Sequence, residues 1–286
     1  MATVTALFTY PIKSCAGIEL PAARLTPAGL AHDRAFMVID EDGVFRSQRR
    51  DPRLALINPA IDAQGHTLTL HAPDLEPIEI TVDTTGPRRP VTLFGSDYHG
   101  IDQGDQVARW LTEILETPSR LVRVPPEHHR ITDGLTPGTS GYADSCPIHI
   151  VSTESLIDLN DMIIERGGHP LPMNRFRPNI VIDGWPTPYH EDLTRRITVG
   201  NTEIAYAKPA IRCVITMIDQ HTATRSGPEP LRTLAATRRS PEGGVAFGAK
   251  FAVLRPGRLA VGDECVVTEW AGVASPSPST LASEPR

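Results

Sequence analysis

Apolar and polar side chains alternate over short runs through the first third of the chain, and a two-residue period belongs to half-buried strands, not helices. Residues 4–8, 35–39, 54–57, 67–70, 78–82 and 91–94 are β-branched or alternating in this way. Between them, Asp40-Glu41-Asp42-Gly43, Asp62-Ala63-Gln64-Gly65 and Thr85-Gly86-Pro87 supply turn chemistry. The expectation is an antiparallel β module, a small barrel. The period then changes: Val107, Ala108, Leu111, Ile114 and Leu115 recur at helical spacing after Gly104-Asp105, and Pro118 closes the segment. A domain boundary is expected there.

A polar, Gly/Pro-rich loop over 125–141 follows, and loops of that length are usually functional or mobile. Residues 148–151 read as a strand. A helix is expected over 155–166, with Leu156, Leu159 and Ile163 on one face and Gly167-Gly168 as its stop. Strands are expected at 179–182, 197–199, 203–206 and 214–218, with Asn201-Thr202 as a hairpin turn, then a short helix over 231–238 and closing strands at 245–253 and 265–268. The run Ala274-Ser275-Pro276-Ser277-Pro278-Ser279 has the composition of a disordered tail. The predicted fold is a β-rich α+β protein: a β-barrel domain over 1–118, a domain of mostly antiparallel strands with a few helices over 119–270, and a tail over 271–286.

The chain has 286 residues, enough for one large or two ordinary domains. With 28 basic and 34 acidic residues the formal charge is −6, so no global basic field draws it to nucleic acid or an anionic membrane. Any anion must be held by a local cluster. Cys15, Cys146, Cys213 and Cys265 are far apart and form no C-x-x-C pair, which excludes zinc-knuckle and iron–sulfur spacing. The first residues lack a signal-peptide core, and no stretch is apolar for long enough to span a bilayer. A cytoplasmic, reducing setting is expected.

Candidate chemistry begins at Lys208-Pro209-Ala210-Ile211-Arg212-Cys213, a proline-bearing segment that delivers one cysteine with Arg beside it. A thiol serves as metal ligand or nucleophile only as thiolate, and a neighbouring cation favours that form. The plain alternative is a small buried apolar residue at a strand start. Tyr10-Pro11-Ile12-Lys13-Ser14 puts a cation and a hydroxyl in a turn, while Asp33-Arg34 and Gln48-Arg49-Arg50 add more cations. Singly these are ordinary surface charges; together they offer Arg and Lys donors that suit a phosphate. Tyr142-Ala143-Asp144-Ser145-Cys146 ends the long loop, and Arg177 and Asn179 share a side if their segment is extended. Tyr189-His190-Glu191-Asp192 supplies acids, with simple solvent exposure as the plain alternative. His128-His129 lacks the third ligand that a metal needs.

Tyr10-Pro11-Ile12-Lys13-Ser14, Gly29-Leu30 with Asp33-Arg34, Phe176-Arg177-Pro178-Asn179-Ile180, Glu191-Asp192, and Arg212-Cys213 with Asp219 occur in this order. Together they make the chain resemble the MOSC family in its two-part form, a β-barrel followed by the MOSC domain, up to about residue 270. The resemblance is to amidoxime-reducing components and to bacterial proteins that detoxify N-hydroxylated bases. It implies a molybdenum pyranopterin cofactor lying between the modules, with Cys213 as the protein ligand of the metal. It also implies that Lys13, Ser14 and Arg34 hold the phosphate, that Asp144, Ser145 and Cys146 lie at the pterin, and that Arg177, Asn179 and Arg212 complete the contacts.

The activity implied is reduction of small N-hydroxylated substrates such as amidoximes, hydroxylamines and N-hydroxy bases, with water as the other product and Asp192 or Asp144 relaying protons. A non-catalytic cofactor carrier or sulfur-handling protein is the alternative. Two departures from relatives bear on mechanism. Ala210 stands where some relatives carry a second cysteine, three positions before Cys213. No cysteine follows Cys265, so electrons are expected from a separate ferredoxin, flavoprotein or cytochrome-type donor. The isolated chain is therefore expected to show no iron–sulfur absorbance and no turnover with a nicotinamide cofactor alone, but to turn over with dithionite-reduced viologen. NADPH oxidation by the pure protein at the viologen rate contradicts this.

Overall fold

The structure, a computed structural model, describes residues 1–272; the expected tail lies outside that range apart from residues 271 and 272. Eight strands make the largest sheet: Thr3–Thr9 (β1), Ile18–Leu20 (β2), Ile148–Ser152 (β3), Ile180–Asp183 (β4), Thr194–Val199 (β5), Thr202–Arg212 (β6), Val245–Arg255 (β7) and Cys265–Trp270 (β8). Their order is β2-β1-β4-β3-β7-β6-β5-β8. All neighbours run antiparallel except β3 and β4. A parallel pair needs a crossover, and helix Thr153–Glu165 provides it. The Ser152 hydroxyl caps that helix by accepting from the Ser155 amide at 3.1 Å.

The first strand belongs to this sheet and not to the module that follows it. Leu7 pairs with Ile180 in register, and Val4 and Leu7 pack with Ile148, Ile150, Ile182 and Phe251. Strand Ala22–Thr26 likewise pairs with Gly257–Ala260. Gly29, in the adjoining short strand, has φ +105°, and a Cβ there would lie 2.7 Å from the Pro147 carbonyl. Only glycine fits that close approach.

Residues 31–123 build the other module. Strands Phe36–Ile39, Arg120–Arg123, Ser96–Asp102 and Arg88–Leu93 form a four-stranded sheet, and Asn58–Ile61, Thr67–Ala72 and Leu75–Thr81 a three-stranded one. Helix Asp105–Leu115 buries Val107, Trp110 and Leu111 against Phe36, Leu68, Ile80 and Leu121. The Trp110 indole donates to the Glu76 carbonyl at 2.8 Å, so its one polar atom is satisfied.

Three local expectations are corrected. The strands expected at 54–57 and 214–218 are 3₁₀ turns, Pro52–Leu56 and Val214–Met217. Pro52 presets the first. In the second, the Cys213 carbonyl accepts from both the Thr216 amide and hydroxyl, at 3.1 and 2.9 Å. That local bonding overrides the strand preference of a β-branched run. The β5–β6 hairpin turns through Gly200 and Asn201, since Val199 pairs with Thr202. The 125–141 loop also carries a small ladder, Ile131–Thr132 with Gly138–Thr139.

Leu7→Ala removes a fully buried side chain from the strand that stitches the chain's ends together. It should cost about 3 to 5 kcal/mol in urea unfolding. A loss below about 1 kcal/mol would show the first strand to be peripheral.

Candidate functional site

The chain leaves β1 at Thr9 and crosses into the first module through Tyr10–Ser14. Backbone bonds fix this crossing: Arg34 donates to the Tyr10 carbonyl at 2.7 Å, Phe36 to Pro11 at 2.9 Å, and Lys13 to Phe36 at 2.8 Å. Ser14, Arg34 and Arg177 have left-handed φ values of 68°, 47° and 53°. Such conformations are costly for non-glycine residues and collect at binding sites. They break the extended geometry that would align Arg177 with Asn179, yet both residues reach the same cavity.

That cavity, of about 380 Å³, lies where the two modules meet. Lys13, Ser14 and Arg34 line it from the first module's crossing. Asp144, Ser145 and Cys146 line it from the loop before β3, Arg177 and Asn179 from the approach to β4, and Arg212 and Cys213 from the end of β6. Asp192 is not part of the lining. Its carboxylate is paired with Arg238, and this removes it as the group expected to serve the pocket. Its neighbour Glu191 is fully buried and accepts from the Ser152 and Ser155 hydroxyls at 3.1 and 3.0 Å. Burial pushes its carboxyl up to about 7.

Tyr10 is the pivot of the cationic side. Its ring packs against two guanidinium groups, Arg34 at 4.2 Å and Arg177 at 4.3 Å from the centroid, and its hydroxyl donates to the Pro178 carbonyl at 3.1 Å. Burial pushes the phenol up to about 12, against the pull of both cations. Stacking on an aromatic face lets two like charges share a small volume. Arg34 is also gripped by Asp33, at 2.6 and 2.8 Å, and reaches the Asn179 side-chain oxygen at 3.3 Å.

Also in the lining, Lys13 is paired with Asp144 and donates to the Tyr142 carbonyl at 3.0 Å, while Arg49 reaches Asp144 at 3.3 Å. Desolvation opposes ionisation of Asp144, but Lys13 and Arg49 hold its carboxyl well below the usual carboxylate range. Desolvation lowers Lys13 despite that carboxylate. Arg49 also lies beside Cys213; it loses hydration, yet the Cys213 sulfur and Asp144 raise it above its ordinary value. Arg212 is pushed down to about 10, chiefly by burial, and bonds the Phe176 carbonyl at 2.8 Å with one nitrogen while its buried Nε has no partner.

Four further lining residues were not singled out from the sequence: Phe94, His149, Lys250 and Glu242. Lys250 had a signal, as the only charged residue in the apolar run over 245–253. His149 had none, because it faces Lys250 across the β3–β7 ladder, a contact made only in three dimensions.

Residues 1–118 match the MOSC N-terminal beta barrel domain, and residues 137–266 match the MOSC domain. The chain belongs to the MOSC family. It is 35% identical over 283 residues to mitochondrial amidoxime reducing component 2 of Rattus norvegicus, covering 91% of this chain and 82% of that protein. It is 34% identical over 285 residues to mitochondrial amidoxime-reducing component 1 of Homo sapiens, covering 91% and 81%. A molybdenum cofactor sulfurase of Danio rerio is 33% identical over 274 residues, covering 87% of this MOSC chain but 32% of that protein.

Because Asp33 is only 1% exposed, Arg34→Ala leaves a buried carboxylate without its cation. The cofactor-free variant should lose about 3 kcal/mol in urea unfolding, and the further change Asp33→Asn should restore part of it. A loss below about 1 kcal/mol would show that Tyr10 and Asn179 satisfy Asp33 without Arg34.

Proposed function

We propose that this protein binds a phosphate-bearing molybdenum pterin in the junctional cavity and reduces N-hydroxylated compounds with electrons from a separate redox protein. The observation that carries the reading is Cys213 on the wall of a pocket lined by seven cationic side chains and two carboxylates. Cations in that excess suit a phosphate, and a half-buried free thiol among them suits a soft metal. The unpartnered Nε of Arg212 fits the same ligand class, since a buried donor without an acceptor calls for one. The similarity to amidoxime reducing components over nine-tenths of the chain supports the substrate class.

The bound group supplies two-electron chemistry at a metal beside Cys213. The overall reaction takes R–NH–OH, two electrons and two protons to R–NH₂ and water. The chain's own residues hold and enclose. Tyr10 holds both Arg34 and Arg177 against its ring as phosphate donors. Asp144, kept ionised, orients Lys13 and Arg49 and is unsuited to donating a proton near neutral pH. Arg49 sets a fixed positive charge beside the thiol. Phe94, 44% exposed, screens Lys13 at 4.8 Å and forms an apolar part of the pocket wall.

Two of the other cysteines are poor ligand candidates, because burial pushes the thiols of Cys15 and Cys265 up to about 12. Cys213→Ala should abolish viologen-linked benzamidoxime reduction and remove cysteinyl sulfur from the molybdenum X-ray absorption spectrum, with the fold intact by circular dichroism. Cys15→Ala and Cys265→Ala should keep activity. Full activity in Cys213→Ala sinks the assignment. A purified protein that holds molybdenum pterin yet reduces no N-hydroxylated substrate is instead the cofactor carrier.

A further inference from the structure

Lys250 projects from β7 into the cavity, flanked in the sheet by His149 on β3 and Lys208 on β6, its register partners on either side. The pocket's other two lysines each hold a carboxylate: Lys13 has Asp144, and Lys208 has Asp133. Lys250 has no ion-pair partner among the described residues. Arg212 at the end of β6, Arg34 from the 31–34 turn and Cys146 from the loop before β3 face it. Asp144 from that loop is already shared between Lys13 and Arg49. Glu242, also in the lining, is solvent-exposed.

His149 does not compensate. It is 1% exposed, its Nδ1 lies 3.4 Å from the Arg177 carbonyl, and its Nε2 has no partner. Burial first, then the neighbouring cations, keeps the imidazole neutral. A Cβ on Gly248 would sit 2.5 Å from that Nε2, so the ring occupies its place only because residue 248 is glycine.

We infer that Lys250 is a proton-coupled anion-binding arm: above neutral pH it takes up a proton when an oxyanion enters the pocket and becomes one of its ligands. Burial, then repulsion from Arg212 and Arg34, push its ammonium down to about 7 in the absence of a ligand. A bound oxyanion supplies the missing negative charge and raises it. Binding therefore consumes a proton above that value and strengthens as pH falls toward it, then levels off once Lys250 is charged in both states. The adjoining arginines lack this property, since a guanidinium keeps its proton. The inference rests on the anion-binding half of the proposed function and is independent of the redox half.

Sulfate is the probe, because it does not itself titrate between pH 7 and 9. The full chain, made in a host unable to synthesise molybdopterin and dialysed free of anions, is titrated by calorimetry in two buffers of different ionisation enthalpy. At pH 8 the wild-type protein should take up about one proton per sulfate, and its Kd should weaken by up to about tenfold per pH unit from 7 to 9. Lys250→Arg should bind sulfate without that uptake and with little pH dependence. Lys250→Met should bind more weakly, also without it. Sulfate binding with no uptake by the wild-type protein, or uptake unchanged in either variant, overturns the proposal and leaves the anion pocket standing. Failure of the wild-type protein to bind sulfate overturns both.

Discussion

One buried carboxylate holds the junction together. Asp33 accepts from the Tyr10 amide at 2.9 Å, from the Asn179 side chain at 3.0 Å and from Arg34 through both oxygens. Asn179 in turn accepts from the His149 amide at 3.1 Å and donates to the Phe8 carbonyl at 3.1 Å. The chain's first crossing, the 31–34 turn, and the starts of β3 and β4 are thereby fixed to one another. A charge this buried is tolerable only when hydrogen-bonded on every side, and the same bonds aim Arg34 at the cavity.

The pocket is an exception to the charge of the molecule around it. A chain with a net −6 concentrates seven cations around one cavity, so the field that matters is local. Their mutual repulsion is contained in three ways: pairing with Asp33, Asp144 and Asp133, stacking on Tyr10, and depression of the remaining amine. The left-handed backbone at Ser14, Arg34 and Arg177 belongs to the same economy. Strain at these positions is tolerated where surrounding bonds determine the conformation, and it brings donors from two modules to one place.

Much of the site was legible in the sequence because its residues travel in short motifs. Lys13-Ser14, Asp33-Arg34, Asp144-Ser145-Cys146, Arg177 with Asn179, and Arg212-Cys213 each sit in a turn or at a strand end, where Pro, Gly and polar residues mark the chain. Elements were legible where a period ran long enough, as in helices Asp105–Leu115 and Thr153–Glu165. Asp192 was misplaced because a carboxylate's neighbour in sequence says nothing about an arginine 46 residues away.

By itself the sequence determined the β-rich class, the family and the cationic motifs, since these depend on local pattern and residue type. Tertiary structure decided what local pattern cannot carry. It placed the first strand in the sheet of the last domain, turned the β-branched 214–218 run into a 3₁₀ turn behind Cys213, and set Lys250 opposite His149. Each outcome depends on which distant strand supplies the hydrogen bonds and which charges share one cavity. Those are properties of the assembled sheet and of no segment within it.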